Sequence, residues 1–182
     1  MECSKCRSEA VVTQSYSGLS LCMRHLISDI ESKAKKEIRK KGGLASAERI
    51  YLKGGDDYRL YALRIFVSML FLKRTDIVFV TLESEATTVF SSETLDDAAC
   101  GLLDAVLEGR TAYYLESKEK RVIAPLSVIP ADEVYLYAKE HGWKGDGIIT
   151  TSTKEFLDDF SKGRPGTKYA LKNTADYLEN LS

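Results

Sequence analysis

A chain of 182 residues, 44% hydrophobic and 29% charged, has the composition of one folded globular domain with at most a small appendage. A formal net charge of −1 removes any global electrostatic argument for nucleic-acid binding and leaves only local charge to make one. The longest apolar segment, Leu60 to Leu72, is broken by Arg64 and falls short of the roughly 20 residues a membrane helix needs. The first residues carry no apolar signal core, so the expectation is a cytoplasmic protein without membrane contact.

The chain opens on metal-ligand chemistry. Three of its four cysteines fall in the first 22 residues, in the order Cys3-x-x-Cys6, fifteen residues, Cys22-x-x-His25. Two ligand pairs, each two residues apart, let tight turns bring three thiolates and one imidazole to a single ion, and this set closes a tetrahedral zinc shell. With all four positions filled by protein no catalytic water has a place, so Zn2+ is expected to be structural. Two unrelated cysteine pairs would not produce the repeated spacing. A redox Cys-x-x-Cys usually opens a helix after a strand rather than sitting at the head of a chain.

Leu26, Ile27, Ile30, Ala34 and Ile38 then give helical periodicity up to Gly42-Gly43. The second half of that helix carries Lys33, Lys35, Lys36, Arg39, Lys40 and Lys41. Two readings stand: a solvated face, or a phosphate-contacting strip in which Lys35, Lys36, Arg39 and Lys40 are the RNA-binding candidates. A strand at Arg49–Leu52 runs into Lys53-Gly54-Gly55-Asp56-Asp57, followed by an apolar helix from Tyr58 to Leu72. Strands are expected at Asp76–Thr81, Thr87–Phe90 and Tyr113–Leu115. Helices are expected at Leu95–Leu107, Ala131–His141, Thr153–Phe160 and after the break at Lys162–Gly166. Alternating strands and helices predict an α/β fold, a mainly parallel sheet of roughly 4–5 strands flanked by helices. The expected organisation is a zinc knuckle over 1–25, a basic linker helix over 26–48 and the α/β domain over 49–182.

A strand that ends in Gly-Gly and feeds a helix can expose amides and a helix N-terminus to an anion, and it lies where open α/β sheets bind ligands. Lys53, Gly54, Gly55, Asp56 and Asp57 are therefore the nucleotide-binding candidates, with a ligand-free βα turn as the other reading. No Gly-Lys-Ser/Thr follows, which excludes a Walker loop, and no third glycine completes a dinucleotide fingerprint. Asp56 and Asp57 would repel phosphate unless a cation such as Mg2+ intervened. Asp57 and Asp97 are the catalytic candidates, as magnesium holders. For Asp96-Asp97 the competing reading is capping at a helix start, where negative charge suits the dipole.

In their order these segments resemble the TtuA/TtcA-type tRNA 2-thiolation enzymes, which are N-type ATP pyrophosphatases of the PP-loop class. Tyr16-Ser17-Gly18 with Leu21-Cys22-x-x-His25 is similar to that family's first zinc knuckle. Lys53-Gly54-Gly55-Asp56-Asp57-Tyr58 lies where the family has Ser-Gly-Gly-Lys-Asp-Ser. Glu93-Thr94-Leu95-Asp96-Asp97 lies where it has Gly-His-Asn-Leu-Asp-Asp. Ala124-Pro125-Leu126 through Glu133–Ala138 looks like its next segment, and Arg164-Pro165-Gly166-Thr167-Lys168 matches its C-terminal turn. The resemblance implies a Rossmann-like nucleotide-hydrolase fold, ATP with Mg2+ on the glycine loop, adenylation of a tRNA uridine, loss of pyrophosphate and attack by a sulfur donor. Catalytic cysteines and, in several members, an iron–sulfur cluster belong to that chemistry.

The departures are specific. Lys53 and Tyr58 replace both loop serines, Asp56 replaces the loop lysine, and Ser92-Glu93-Thr94 replaces Gly-His-Asn. The Val80–Val89 link is short, the family's C-terminal knuckle is missing, and Cys100 is the one thiol outside the N-terminal knuckle, on the apolar side of its helix. One such thiol holds no cubane, so no iron–sulfur cluster is expected. The resulting expectation is a shortened, degenerate relative that keeps structural zinc and weak ATP or tRNA binding. It would serve as partner or regulator of an intact thiolation enzyme, or as a homodimer. The alternatives are an active ATP pyrophosphatase and a zinc-stabilised protein-interaction module using exposed tyrosines.

Overall fold

The computed structural model describes residues 1–116 and 120–181, without the side chain of Leu115. Two strands, β1 (Val12–Gln14) and β2 (Leu19–Leu21), form an antiparallel ribbon in the register Val12↔Leu21, Thr13↔Ser20, Gln14↔Leu19. Helix α1 (Met23–Lys40) follows at once, with Cys22 as its N-cap. It buries Leu26, Ile30, Ala34 and Ile38, an i, i+4 stripe that turns one face to the core. Gly42 (φ 93°) and Gly43 (φ 67°) end it in the left-handed region, where a Cβ is unfavourable. The Arg121 guanidinium donates to the carbonyl of Lys41, the C-cap of the helix, and to that of Gly43 just beyond it.

The body is a four-stranded, wholly parallel sheet in the order β4 (Val78–Val80), β3 (Arg49–Lys53), β5 (Thr88–Ser91), β6 (Arg121–Ile123). Every residue of β5 is buried, as expected of an inner parallel strand, whereas Val78 and Phe79 on the edge strand β4 are exposed. Helix α2 (Tyr58–Leu70) links β3 to β4, and α3 (Leu95–Leu107) links β5 to β6. Helix α4 (Ala131–Glu140) packs on α2, and with α1 these helices share one apolar core with Ile50, Phe90 and Ile123 of the sheet. Helix α3 packs instead on α5 (Ser152–Gly163) and α6 (Thr167–Glu179). No helix among the described residues is long and apolar enough to cross a membrane.

The fold class and parallel sheet match the sequence expectation. One element does not: Tyr113–Leu115, expected as a strand, lies in a 3-10 turn over Thr111–Leu115. Two of its residues are aromatic, but the backbone closes i→i+3 bonds, Tyr113 N to Arg110 O (3.1 Å) and Glu116 N to Tyr113 O (3.4 Å), and pairs with no strand among the described residues.

Polar contacts tie the pieces together. Gln14 Nε2 and Tyr16 Oη donate to Glu133 of α4 at 2.9 and 2.7 Å, fastening the N-terminal ribbon to the body. Lys172 of α6 meets Glu37 of α1 at 2.9 Å with both side chains almost wholly buried. Asp176 receives Lys172 (2.7 Å), Lys40 (2.9 Å) and Lys41 (3.1 Å). Burial works to raise the Asp176 carboxyl, but hydrogen bonds from Lys172 and Lys40 outweigh it and hold the group at about 2.

Candidate functional site

Among the described residues, the ligand and loop residues that the sequence singles out gather in two places. The first is the N-terminal knuckle. The turn around Cys3–Cys6 and the first turn of α1 bring Cys3, Cys6, Cys22 and His25 together, with all four ligand atoms within 4.8 Å of one another. Cys22 and His25 are three apart at the start of a helix, so their side chains share a face. Cys6 Sγ lies 3.7 Å from Cys22 Sγ, and His25 Nδ1 lies 3.4 Å from Cys3 Sγ and 3.3 Å from Cys22 Sγ. Bonds of about 2.3 Å to sulfur and about 2.0 Å to nitrogen give tetrahedral edges of roughly 3.5–3.8 Å, so the donors are spaced to hold one metal ion. Burial opposes ionisation of Cys3, but the amides of Cys22, Lys5 and Cys6 outweigh it and bring the thiol down to about 6, toward the thiolate a metal needs.

The second is a cleft of about 720 Å3 at the carboxyl ends of β3 and β5, lined by Lys53, Gly54, Gly55, Arg59, Ser91 and Ser92, with Glu83 and Lys120 on its rim. This is where an open parallel sheet presents its loops. Gly54 is needed for its size rather than for a special φ, because a Cβ there would fall into the Ser92 hydroxyl. Lys53 is exposed and ion-paired to Glu83 at 3.3 Å. Asp56 is exposed and stands outside the cleft lining. Tyr58 is buried and packs edge-on against Tyr135, ring centroids 5.4 Å apart.

Asp57 is the N-cap of α2. Its Oδ1 accepts from the amides of Arg59 (2.9 Å) and Leu60 (3.5 Å), and its Oδ2 accepts from Arg59 Nε (3.0 Å) and Nη2 (2.5 Å). Arg59 Nη1 reaches across to Asp97 Oδ1 at 2.6 Å. Burial tends to raise the Asp57 carboxyl, but the Arg59 hydrogen bonds and charge prevail and hold it below the usual carboxylate range. Asp97 also closes a capping box with Thr94 at the start of α3, so the capping reading of this acidic pair describes its geometry. A guanidinium therefore stands between the two carboxylates that the sequence assigns to magnesium.

Asp96 turns the other way and is buried. Its Oδ2 accepts from Ala131 N at 2.7 Å, capping α4, and its Oδ1 meets Lys168 at 2.6 Å and Lys154 at 3.0 Å. The C-terminal Arg164–Lys168 turn thus delivers a lysine to the Leu95-Asp96-Asp97 segment, a contact across 72 residues. Arg59 is a site residue that sequence reasoning missed, and Lys168, named there as part of the C-terminal turn, was given no role. No local pattern announces a side chain that reaches a partner far along the chain.

Of the basic residues on α1, Lys35 pairs with Glu31 at 3.1 Å and Lys40 with Asp176, while Lys36 and Arg39 are exposed without an ion pair among the described residues. Cys100, on the apolar side of its helix, is only partly buried. Burial, with Asp96 and Asp104 nearby, pushes it up to about 11, away from nucleophilic use.

A family model for the N-terminal LIM domain of the 2-thiouridine synthetase TtuA matches residues 2–27. Among solved structures, the U34-tRNA thiolase NcsA from Methanococcus maripaludis with its 4Fe-4S cluster matches with a TM-score of 0.81 at 16% sequence identity. The match covers 100% of this chain and 89% of that one, and at this identity it is a likeness of fold. A search of curated proteins gives no match.

These findings overturn the expectation of no iron–sulfur cluster. The protein sharing the fold carries a 4Fe-4S cluster, and the N-terminal Cys/His group is able to hold a metal. The expectation counted only thiols outside the knuckle, yet thiolates are soft ligands that serve zinc and iron–sulfur chemistry alike. Residues 2–27 are thus similar to the N-terminal LIM domain of the 2-thiouridine synthetase TtuA, and the chain as a whole shares its fold with a U34-tRNA thiolase.

Proposed function

We propose that this protein is a degenerate relative of the ATP-dependent tRNA thiolation enzymes, one that keeps the metal knuckle and the strand-end cleft but not the full chemistry. It acts as a partner or regulator of an intact thiolation enzyme and binds ATP or tRNA weakly. The observation that carries this reading is the state of the α2 N-terminus. The amides of Arg59 and Leu60, which a phosphate would need, are already served by Asp57. The loop's hydroxyl and cation positions are altered in keeping: Tyr58 is packed into the core, and Lys53 is engaged by Glu83. Weak anion binding remains compatible with the lysines, Arg59 and the serine hydroxyls around the cleft. The exposed Lys36 and Arg39 on α1 are the surface offered to tRNA phosphates.

Calorimetric titration of the metal-loaded protein with ATP tests this. The account expects weak binding that Gly55→Glu abolishes by placing a carboxylate in the cleft. Tight ATP binding accompanied by pyrophosphate release would instead support an active ATP pyrophosphatase.

A further inference from the structure

The bridge Asp57–Arg59–Asp97 sits at the entrance to α2: Arg59 lines the cleft, and all three side chains line a smaller cavity of about 190 Å3 on its other side. Two ionised carboxylates that converge beside a ligand cleft repel each other and an anionic ligand, and a cation between them relieves both repulsions. A divalent ion is one solution and a guanidinium is another, because its planar fork carries a permanent charge and five donors. Here three of those donors are spent on the two carboxylates, at 3.0, 2.5 and 2.6 Å. Asp57 is 22% and Asp97 29% exposed, as is Arg59, so the bridge is partly shielded rather than a loose surface pair. Among the described residues the knuckle is the one group of three or more His, Cys, Asp and Glu able to hold a metal.

We propose that Arg59 is the resident cation of the cleft: its guanidinium takes the place of a divalent ion between Asp57 and Asp97, so that a phosphate-bearing ligand enters without Mg2+. The choice of ligand rests on the function proposed above, whereas the cation substitution is read from metal binding alone. Arg59 thereby sets which form of a nucleotide the site accepts, favouring the metal-free polyphosphate over its magnesium complex. It acts by neutralising the carboxylates and by presenting its remaining donors to the cleft.

The test uses the full chain with its knuckle loaded. Manganese binding is followed by electron paramagnetic resonance for the wild type, Arg59→Ala, Arg59→Gln and the double variant Arg59→Ala/Asp97→Asn. ATP binding is measured with and without magnesium. The expected result is no manganese at the cleft in the wild type, one ion gained on removing Arg59, and that ion lost again in the double variant. ATP affinity is expected to be insensitive to magnesium in the wild type and dependent on it in Arg59→Ala. A wild type that binds manganese in a way Asp97→Asn abolishes overturns the proposal, as does failure of both single variants to gain an ion while their melting curves show them folded. Wild type that binds ATP only with magnesium overturns it too. If the wild type binds no ATP under either condition, the nucleotide reading fails while the manganese result still decides the role of Arg59.

Discussion

At the scale of single residues, the glycine loop shows what a sequence can and cannot say. Gly54-Gly55 after a strand is legible as a strand-to-helix turn, and the structure puts it at the mouth of the cleft. The reason for Gly54 is not legible, because it is the approach of Ser92, far along the chain. Gly54→Ala is expected to destabilise the fold by about 1–3 kcal/mol through overpacking. Pairing it with Ser92→Ala should recover much of that loss, since the two sites share one contact. Thermal melts of the two single variants and the double variant check this, and strictly additive losses would show that Ser92 is not the obstacle. Asp57 and Asp97 were likewise visible as residues of interest. That their shared partner is Arg59 depends on a contact between α2 and α3 spanning 38 residues, which no periodicity encodes.

At the scale of elements, the knuckle was readable because ligand spacing is a local property. Cys22 and His25 lie on one helical turn, and Cys3 and Cys6 on one tight turn. Metal binding and folding of this segment should be coupled, since its two short strands bury little surface of their own. Chelation is expected to open residues 1–22 to proteolysis while the sheet and α2–α6 stay folded. Continued protection of the segment after complete metal removal would contradict that coupling. Zinc, iron and acid-labile sulfide determined on anaerobically purified protein identify the metal. The docking of α6 was not readable, because a lysine in a helical stretch usually faces water and Lys172 instead meets Glu37 in the interior. Asp176 supplies a pH test of that docking. Its folded-state value, about 2, lies below the ordinary 3.8, so its stabilisation is fully present above 3.8 and is lost as pH falls through about 2. With solvent screening discounted, Asp176→Asn should cost about 1–2 kcal/mol at neutral pH, and the difference from wild type should shrink below pH 4. A gap that persists unchanged at pH 2 would mean that the cost comes from packing rather than charge.

At the scale of the whole molecule, alternation of apolar strands with helical stretches was enough to give the fold class and the parallel sheet, because buried parallel strands such as β5 leave a strong pattern. The 3-10 turn at Thr111–Leu115 was misread because a short aromatic run does not distinguish a strand from a turn. The architecture is one shared with a U34-tRNA thiolase, while the self-capped helix and the engaged lysine set this cleft apart from a loop ready for phosphate. The most direct test of the central claim is pyrophosphate release from ATP by the metal-loaded protein, with tRNA present, beside Asp57→Asn. The account predicts no turnover above background for either protein. Sustained release by the wild type that Asp57→Asn abolishes would contradict it and establish an active pyrophosphatase.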